Sequence, residues 1–259
     1  MSKPEAHTTS QPPVKIIPLK GLPEVTAGDN LARFLVEAVQ RQRLPIKQGD
    51  VFVIAQKVVS KAEGRIIRLD SVKPSEPAEE WAAKYQKDPR VIEIVLRETS
   101  SIVRMERGVI ISRTRHGFVC ANAGVDISNV PEGMALLLPE NPDRSARKLQ
   151  EQLARAFGVH VAAIISDTFG RPWREGLVNV ALGVAGMAPL VDYRGQHDTH
   201  GKTLHATVIA LADELAAAAG LAMGKLDRIP AAVIQGIAMM KRTGRGADII
   251  RAAERDLFR

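Results

Sequence analysis

The apolar residues of this chain come in short runs, each cut off by Gly, Pro or Asp, and that limits the fold more than anything else in the sequence. "VFVIA" at 51–55 reads as a buried strand that leaves the core at Gln56 and Lys57. "VHVAAII" at 159–165 reads as a second strand, running into the polar turn "SDTFGRP". "GVIISRT" and "GFVCANA" flank Arg115–His116 as a hairpin, and "IPAAVIQGI" is a last strand. "NVALGVAGM" is a strand or a tightly packed apolar segment. None of these runs approaches the roughly 20 apolar residues that cross a bilayer.

Helical patterns separate the strands without a regular βαβ alternation. Leu31, Phe34, Leu35, Ala38 and Val39 make one amphipathic face, with Asp29 as the expected N-cap. "PSEPAEEWAAKYQ" and "PRVIEIVLRE" give two more helices, the first capped by Ser75. Residues 142–157 form another, closed by Gly158. Leu204 to Ala219 is Ala-rich and helical up to Gly220, and "GADIIRAAERDLF" is a final helix. The expected class is α+β, with mixed β-sheets and flanking helices rather than a doubly wound sheet. The polar, Pro-rich residues 1–14 read as a disordered tail, and 15–259 as one domain with room for two subdomains.

Composition narrows the function. The charge is +7, but Lys and Arg are spread along the chain and aromatics make up only 4%. Nucleic-acid binders cluster their charge and interleave stacking aromatics, so anionic small molecules fit better. The N-terminus has no apolar signal segment, and the lone Cys120 reads as a reduced, buried thiol, so the expected setting is the cytoplasm. The same scarcity of aromatics leaves Ala- and Val-rich surface for a second subunit to cover.

Two strand ends carry similar polar groups. One is Gly124-Val125-Asp126-Ile127-Ser128-Asn129, and the other is Ser166-Asp167-Thr168-Phe169-Gly170-Arg171. If the strands are neighbours, Asp126 and Asp167 converge. Two carboxylates and the Thr168 oxygen suit a hard cation such as Mg²⁺ or Mn²⁺. The same residue types are also ordinary turn formers and caps. Lys57 and Lys61, four apart after a buried strand, can meet phosphate or simply face solvent, and Arg65 follows them. There is no Walker A loop and no G-x-G-x-x-G, and "HDTH" at 197–200 matches no zinc spacing.

Taken together, "GLPEV", "VFVIAQKVVSKAEGR", "CANAGVDISNV", "ISDTFGRPWREG" and "ADELAAAAGLAMGK" resemble the coenzyme F420-0:L-glutamate ligase family, also called gamma-glutamyl ligase. The resemblance runs from about Ile16 to the C-terminus and is closest to the bacterial single-domain form. It implies a gamma-glutamyl ligase-type fold and an interlocked homodimer. It also implies GTP as co-substrate, a divalent cation with room for K⁺, and joining of L-glutamate to coenzyme F420-0 or its dehydro form. By motif match it puts the metal, and with it the catalytic role, on Asp126 and Asp167, with Thr168 as a further ligand. It puts nucleotide contacts on Leu22, Pro23, Glu24, Val25, Gln56, Lys57, Lys61, Asn129, Met223 and Gly224. The competing readings are another metal-dependent phosphoryl-transfer enzyme and a nucleic-acid-binding module.

Overall fold

The computed structural model describes residues 12–238 and 243–257, so most of the expected N-terminal tail lies outside the described residues. A five-stranded sheet in the order β1-β12-β2-β8-β9 organises the chain. Its strands are β1 (Lys15–Pro18), β2 (Val51–Ala55), β8 (Ala162–Arg171), β9 (Arg174–Ala185) and β12 (Ala231–Gln235). β2 and β8 pair in parallel, and every other neighbour is antiparallel. This is the mixed sheet that the irregular element order predicts.

Both faces of this sheet are covered, which explains why its strands read as unbroken apolar runs. Phe52, Ile54, Ala163, Ile165 and Val233 point to one face. There α1 (Leu31–Arg41) and α5 (Pro142–Phe157) pack on them through Leu35, Ala38, Leu149 and Leu153. Val51, Val53, Ala162, Ile164 and Ile234 point to the other face. They meet α6 (Leu211–Met223) through Leu215, Ala216 and Ala219.

The remaining elements build a second region. α2 (Gln56–Ala62) leaves β2 without a linker and leads to β3 (Ile66–Arg68), which pairs with β7 (Met134–Leu136). α3 (Glu76–Tyr85) and α4 (Pro89–Glu98) pack together. They are followed by an antiparallel sheet of β4 (Thr99–Glu106), β5 (Val109–Thr114) and β6 (Val119–Ala121). Two short strands, β10 (Val191–Asp192) and β11 (Val208–Ile209), make a separate pair. No helix among the described residues is long and apolar enough to cross a membrane.

Several local expectations change. The segment after Ala55 is helix α2, not a solvated strand end. β8 does not stop at Ile165: it continues to Arg171 and turns back as β9, so the expected polar turn is a strand. A β-bulge beside Ser166 lets the hairpin bend there. β4 was not expected, since its Ser, Arg and Glu residues hide the strand pattern. α6 starts at Leu211 rather than Leu204, and Gly220 lies inside it, where a Cβ would meet Asn179 Nδ2 at 2.7 Å. The cap of α6 is Gly224. The expected final helix is two short 3-10 turns, Gly246–Ile249 and Ala253–Arg255. Asn30, not Asp29, caps α1, because the Asp29 carboxylate is taken by the N–H and hydroxyl of Thr26. Ser75 precedes α3 as expected, but its hydroxyl donates to Glu93 on α4.

Gly183 in β9 sits where α5 begins, and a Cβ there would lie 2.2 Å from the Pro142 carbonyl oxygen. Backbone cannot yield as a flexible side chain does. Gly183→Ala is expected to cost about 3 kcal/mol in urea unfolding. Gly170→Ala, whose Cβ would meet nothing nearer than Leu177 at 3.8 Å, is expected to stay within about 0.5 kcal/mol of the parent.

Candidate active site

The parallel register of β2 and β8 sets the site. Ala55 pairs with Ser166, so Gln56–Lys57 and Asp167–Thr168 leave the same end of the sheet together. From there α2 carries Lys57 and Lys61 four residues apart, on one side of the helix. Gln56 turns inward: it is buried, and its Oε1 accepts the Ser60 hydroxyl at 2.8 Å.

Asp126 arrives from the second region. The chain leaves β6 through Asn122, Ala123 and Gly124, all with left-handed backbone (φ of 51°, 50° and 72°). For non-glycine residues this conformation costs roughly 1–2 kcal/mol each, and burial of Ala123 holds it. Gly124 has no room for a Cβ, which would lie 2.7 Å from the Leu138 side chain. Asp126 then pairs with Leu136 through two backbone hydrogen bonds of 2.9 and 2.8 Å. Arg65 ties the same strip to α2. Its carbonyl accepts the Leu137 N–H, its Nε donates to the Leu138 carbonyl, and its Nη2 bonds Glu98 at 3.1 Å.

Asp126 and Lys57 meet. Lys57 Nζ lies 2.5 Å from Asp126 Oδ2 and donates to Ser128 Oγ at 2.8 Å, while the Ser128 N–H donates to Asp126 Oδ1 at 2.6 Å. Burial pushes the pKa of Asp126 up, but the hydrogen bonds of Lys57 and Ser128 and the lysine charge outweigh it, leaving the carboxyl below its ordinary range. Asp167 moves the other way, pushed up to about 6, chiefly by burial. The Asp126 charge adds to that rise, while the Thr168 N–H, Lys57 and Lys225 oppose it. The two carboxylates are thus close enough for the charge of one to bear on the other. They reach the site by different routes, Asp126 from a turn and Asp167 from within β8.

The Thr168 hydroxyl donates to Asn179 Oδ1 at 2.9 Å and accepts from Lys225 Nζ. Lys61 Nζ pairs with Glu24 Oε1 at 2.5 Å, which sets the loop of Leu22, Pro23, Glu24 and Val25 beside α2. Leu22 and Val25 pack on the core, while Pro23 and Glu24 are exposed. Asn129 is exposed and left-handed, its amide 3.4 Å from Ser128 Oγ. Met223 is buried at the end of α6, and Gly224 follows it. Cys120 is buried, and burial together with the Asp167 charge pushes its thiol up to about 12, which makes it no nucleophile. Among the described residues, no three His, Cys, Asp or Glu side chains gather as a ready metal cage. The site offers two carboxylates, a hydroxyl and three lysines instead.

The family model for F420-0:gamma-glutamyl ligase matches residues 21–236, which include every one of these groups. The chain belongs to that family. It is 46% identical to the coenzyme F420:L-glutamate ligase of Methanothermobacter thermautotrophicus over 95% of this chain and 99% of the relative. The protein of that name from Methanopyrus kandleri is 46% identical over 96% and 98%. The one from Archaeoglobus fulgidus is 40% identical over 95% and 96%. These relatives are archaeal, and they too are matched nearly end to end. As a member of this family the chain is a ligase.

Two residues of this candidate site escape a reading of the sequence. Lys225 follows a helix-capping glycine and gives no periodic signal. Asn179 sits in an apolar run, and a lone amide there was the only hint. Arg65, which the sequence shows only as following the two lysines, bridges the end of α2, Glu98 and the strip that carries Asp126. Arg65→Ala is expected to lower unfolding free energy by about 2 kcal/mol, the range for hydrogen bonds to charged groups, with Arg65→Lys recovering only part of it in the same urea titration.

Proposed function

We propose that this chain is a GTP-dependent ligase that forms an amide between L-glutamate and coenzyme F420-0 or its dehydro form. The observation that carries the reading is the gathering of Asp126 and Asp167 with Lys57 and Lys225 at one end of the central sheet, with Lys61 one helical turn along from Lys57 and paired with Glu24. The family, F420-0:gamma-glutamyl ligase, and its relatives, coenzyme F420:L-glutamate ligases, suggest the acceptor and the amino acid.

The chemistry asks for such a site. A carboxylate resists attack by an amine, because its oxygen is too poor a leaving group. Transfer of the GTP γ-phosphoryl group to the acceptor carboxylate gives an acyl phosphate and GDP. The amine of glutamate attacks the acyl carbon, the C–O bond to phosphate breaks, and the amine proton leaves to solvent or base. All the reactants are anions, so the protein must offset their repulsion. Lys57, Lys61 and Lys225 do so as point charges. Leu22, Pro23, Glu24, Val25, Gln56, Asn129, Met223 and Gly224 complete the nucleotide surface in this reading.

The donor set fits Mg²⁺ or Mn²⁺. Asp126, Asp167 and Thr168 offer hard oxygens, and phosphate oxygens and water fill the other positions such ions require. An ammonium already drawn to Asp126 Oδ2 shows that this oxygen attracts a cation. A divalent ion held by these oxygens would supply positive charge against that developing on the phosphoryl oxygens. K⁺ fits the same reading as an accessory cation.

Purified protein incubated with F420-0, glutamate, GTP and Mn²⁺ should yield a product one glutamyl unit heavier by mass spectrometry, with GDP and phosphate. Nucleotide turnover that ignores the acceptor would instead mark another phosphoryl-transfer enzyme. Asp126→Asn keeps the side-chain volume and removes the charge, so it should fold normally and lose metal-dependent turnover by orders of magnitude. Lys61→Ala should weaken GTP binding in calorimetry by about 1.5–3 kcal/mol.

The working unit in this reading is a homodimer. Ile102 and Val103 of β4, Val109 of β5 and Val119 of β6 are exposed apolar residues on one small sheet, and Leu177 is exposed on the β8–β9 hairpin. Exposed apolar side chains are one ingredient of an association surface. Sedimentation should give about twice the mass of one chain, and dilution should lower the apparent melting temperature. A folded, active monomer at micromolar concentration would remove the dimer from the reading.

A further inference from the structure

Two of the three oxygen groups assigned to the divalent cation already carry a lysine ammonium. Lys57 Nζ is 2.5 Å from Asp126 Oδ2 and also donates to Ser128 Oγ. Lys225 Nζ donates to Thr168 Oγ1. The lysines come from unrelated elements, one from α2 and the other from the loop after α6. Asp126 Oδ1 accepts the Ser128 N–H, so Oδ2, the oxygen that holds Lys57, is the one turned to a cation. The Lys57 and Asp126 side chains are only 29% and 28% exposed, so solvent screens the pair weakly. Lys61, one turn along α2, pairs with Glu24 and touches neither carboxylate in this way.

We propose that Lys57 is a built-in counter-ion: it occupies the cation position at Asp126 until a divalent ion and nucleotide enter together, and then turns to the nucleotide phosphates. Lys225 plays the lesser part at Thr168. The proposal rests on the reading of Asp126, Asp167 and Thr168 as metal ligands. Its consequence is thermodynamic. A metal ion arriving alone must displace an ammonium that would be left with only the neutral Ser128 hydroxyl. A metal ion arriving with phosphate gives that ammonium a new partner. Metal and nucleotide therefore strengthen each other's binding, reciprocally.

The test is a Mn²⁺ titration of the full chain without nucleotide, read from the electron paramagnetic resonance of free Mn²⁺, then repeated with a non-hydrolysable GTP analogue. Without nucleotide, Lys57→Met should bind Mn²⁺ roughly ten-fold tighter or more, the loss of a competing charged hydrogen bond. Lys225→Met should tighten it by about three-fold, since Lys225 is exposed and its partner is neutral. Lys61→Met removes the same charge from the same helix and should change the affinity less than about two-fold, which separates displacement from a general loss of positive charge. The analogue should tighten Mn²⁺ more in the parent than in Lys57→Met. Should Lys57→Met fold poorly by circular dichroism, Lys57→Gln keeps a hydrogen bond to Asp126 without the charge, and the same ordering is expected. If Asp126→Asn abolishes Mn²⁺ binding while Lys57→Met and Lys57→Gln bind no tighter than the parent, the counter-ion idea is wrong and the metal assignment stands. If Asp126→Asn and the parent bind Mn²⁺ alike, the metal assignment fails and takes the proposal with it.

Discussion

The parallel pairing of β2 with β8 is the constraint on which the rest depends. It is the one parallel contact in the five-stranded sheet, and it brings two chain segments out of the core at the same end. Because both strands are covered on both faces, neither can slide without exposing a row of Val and Ile side chains. Lys57 and Asp167 inherit that rigidity. Ligands that carry several negative charges need such a mount, since small displacements of the opposing charges weaken their effect.

The second carboxylate is held by a different device. Three successive left-handed residues, a glycine fitted against Leu138 and the Arg65 clamp fix Asp126 against the same helix. Backbone strain of this kind persists only where the surroundings over-determine it. Here the surroundings are the buried Ala123, the two-bond pairing with Leu136 and the Leu137 N–H on the Arg65 carbonyl. The strain, at Asn122 and Ala123, sits four and three residues from the carboxylate that it aims.

Charge completes the picture. Burial makes Asp167 a reluctant anion, and the neighbouring Asp126 makes it more so. Asp126 stays ionised because Lys57 and Ser128 hold it. The two carboxylates therefore differ in character although the sequence presents them in similar settings. The division follows from what packs around each, with water removed from one and a lysine delivered to the other.

The sequence by itself determined the strands β2 and β12, the helices near 31–41, 76–85, 89–98 and 142–157, and the hairpin around Arg115–His116. These are local patterns, and each segment carries its own apolar period and punctuation. It also raised Asp126, Asp167, Thr168, Lys57 and Lys61 as candidates, because hard oxygens and lysines where buried runs end can gather cations and phosphates, although the same residue types also make ordinary turns and solvated strand ends. The motifs around them carried the family, which the comparison with relatives then showed. What it missed depends on contacts between distant segments. β4 forms because β5 offers it a partner, despite polar residues that hide its pattern. β8 runs on past Ile165 because β9 pairs with its polar half. Gly220 reads as a helix stop, but it is a close approach that makes room for Asn179. Arg65 and Lys225 acquire their roles from partners 73 and 57 residues away. No periodicity within one segment can report a partner at that distance, so only the tertiary structure could decide which lysine meets which carboxylate.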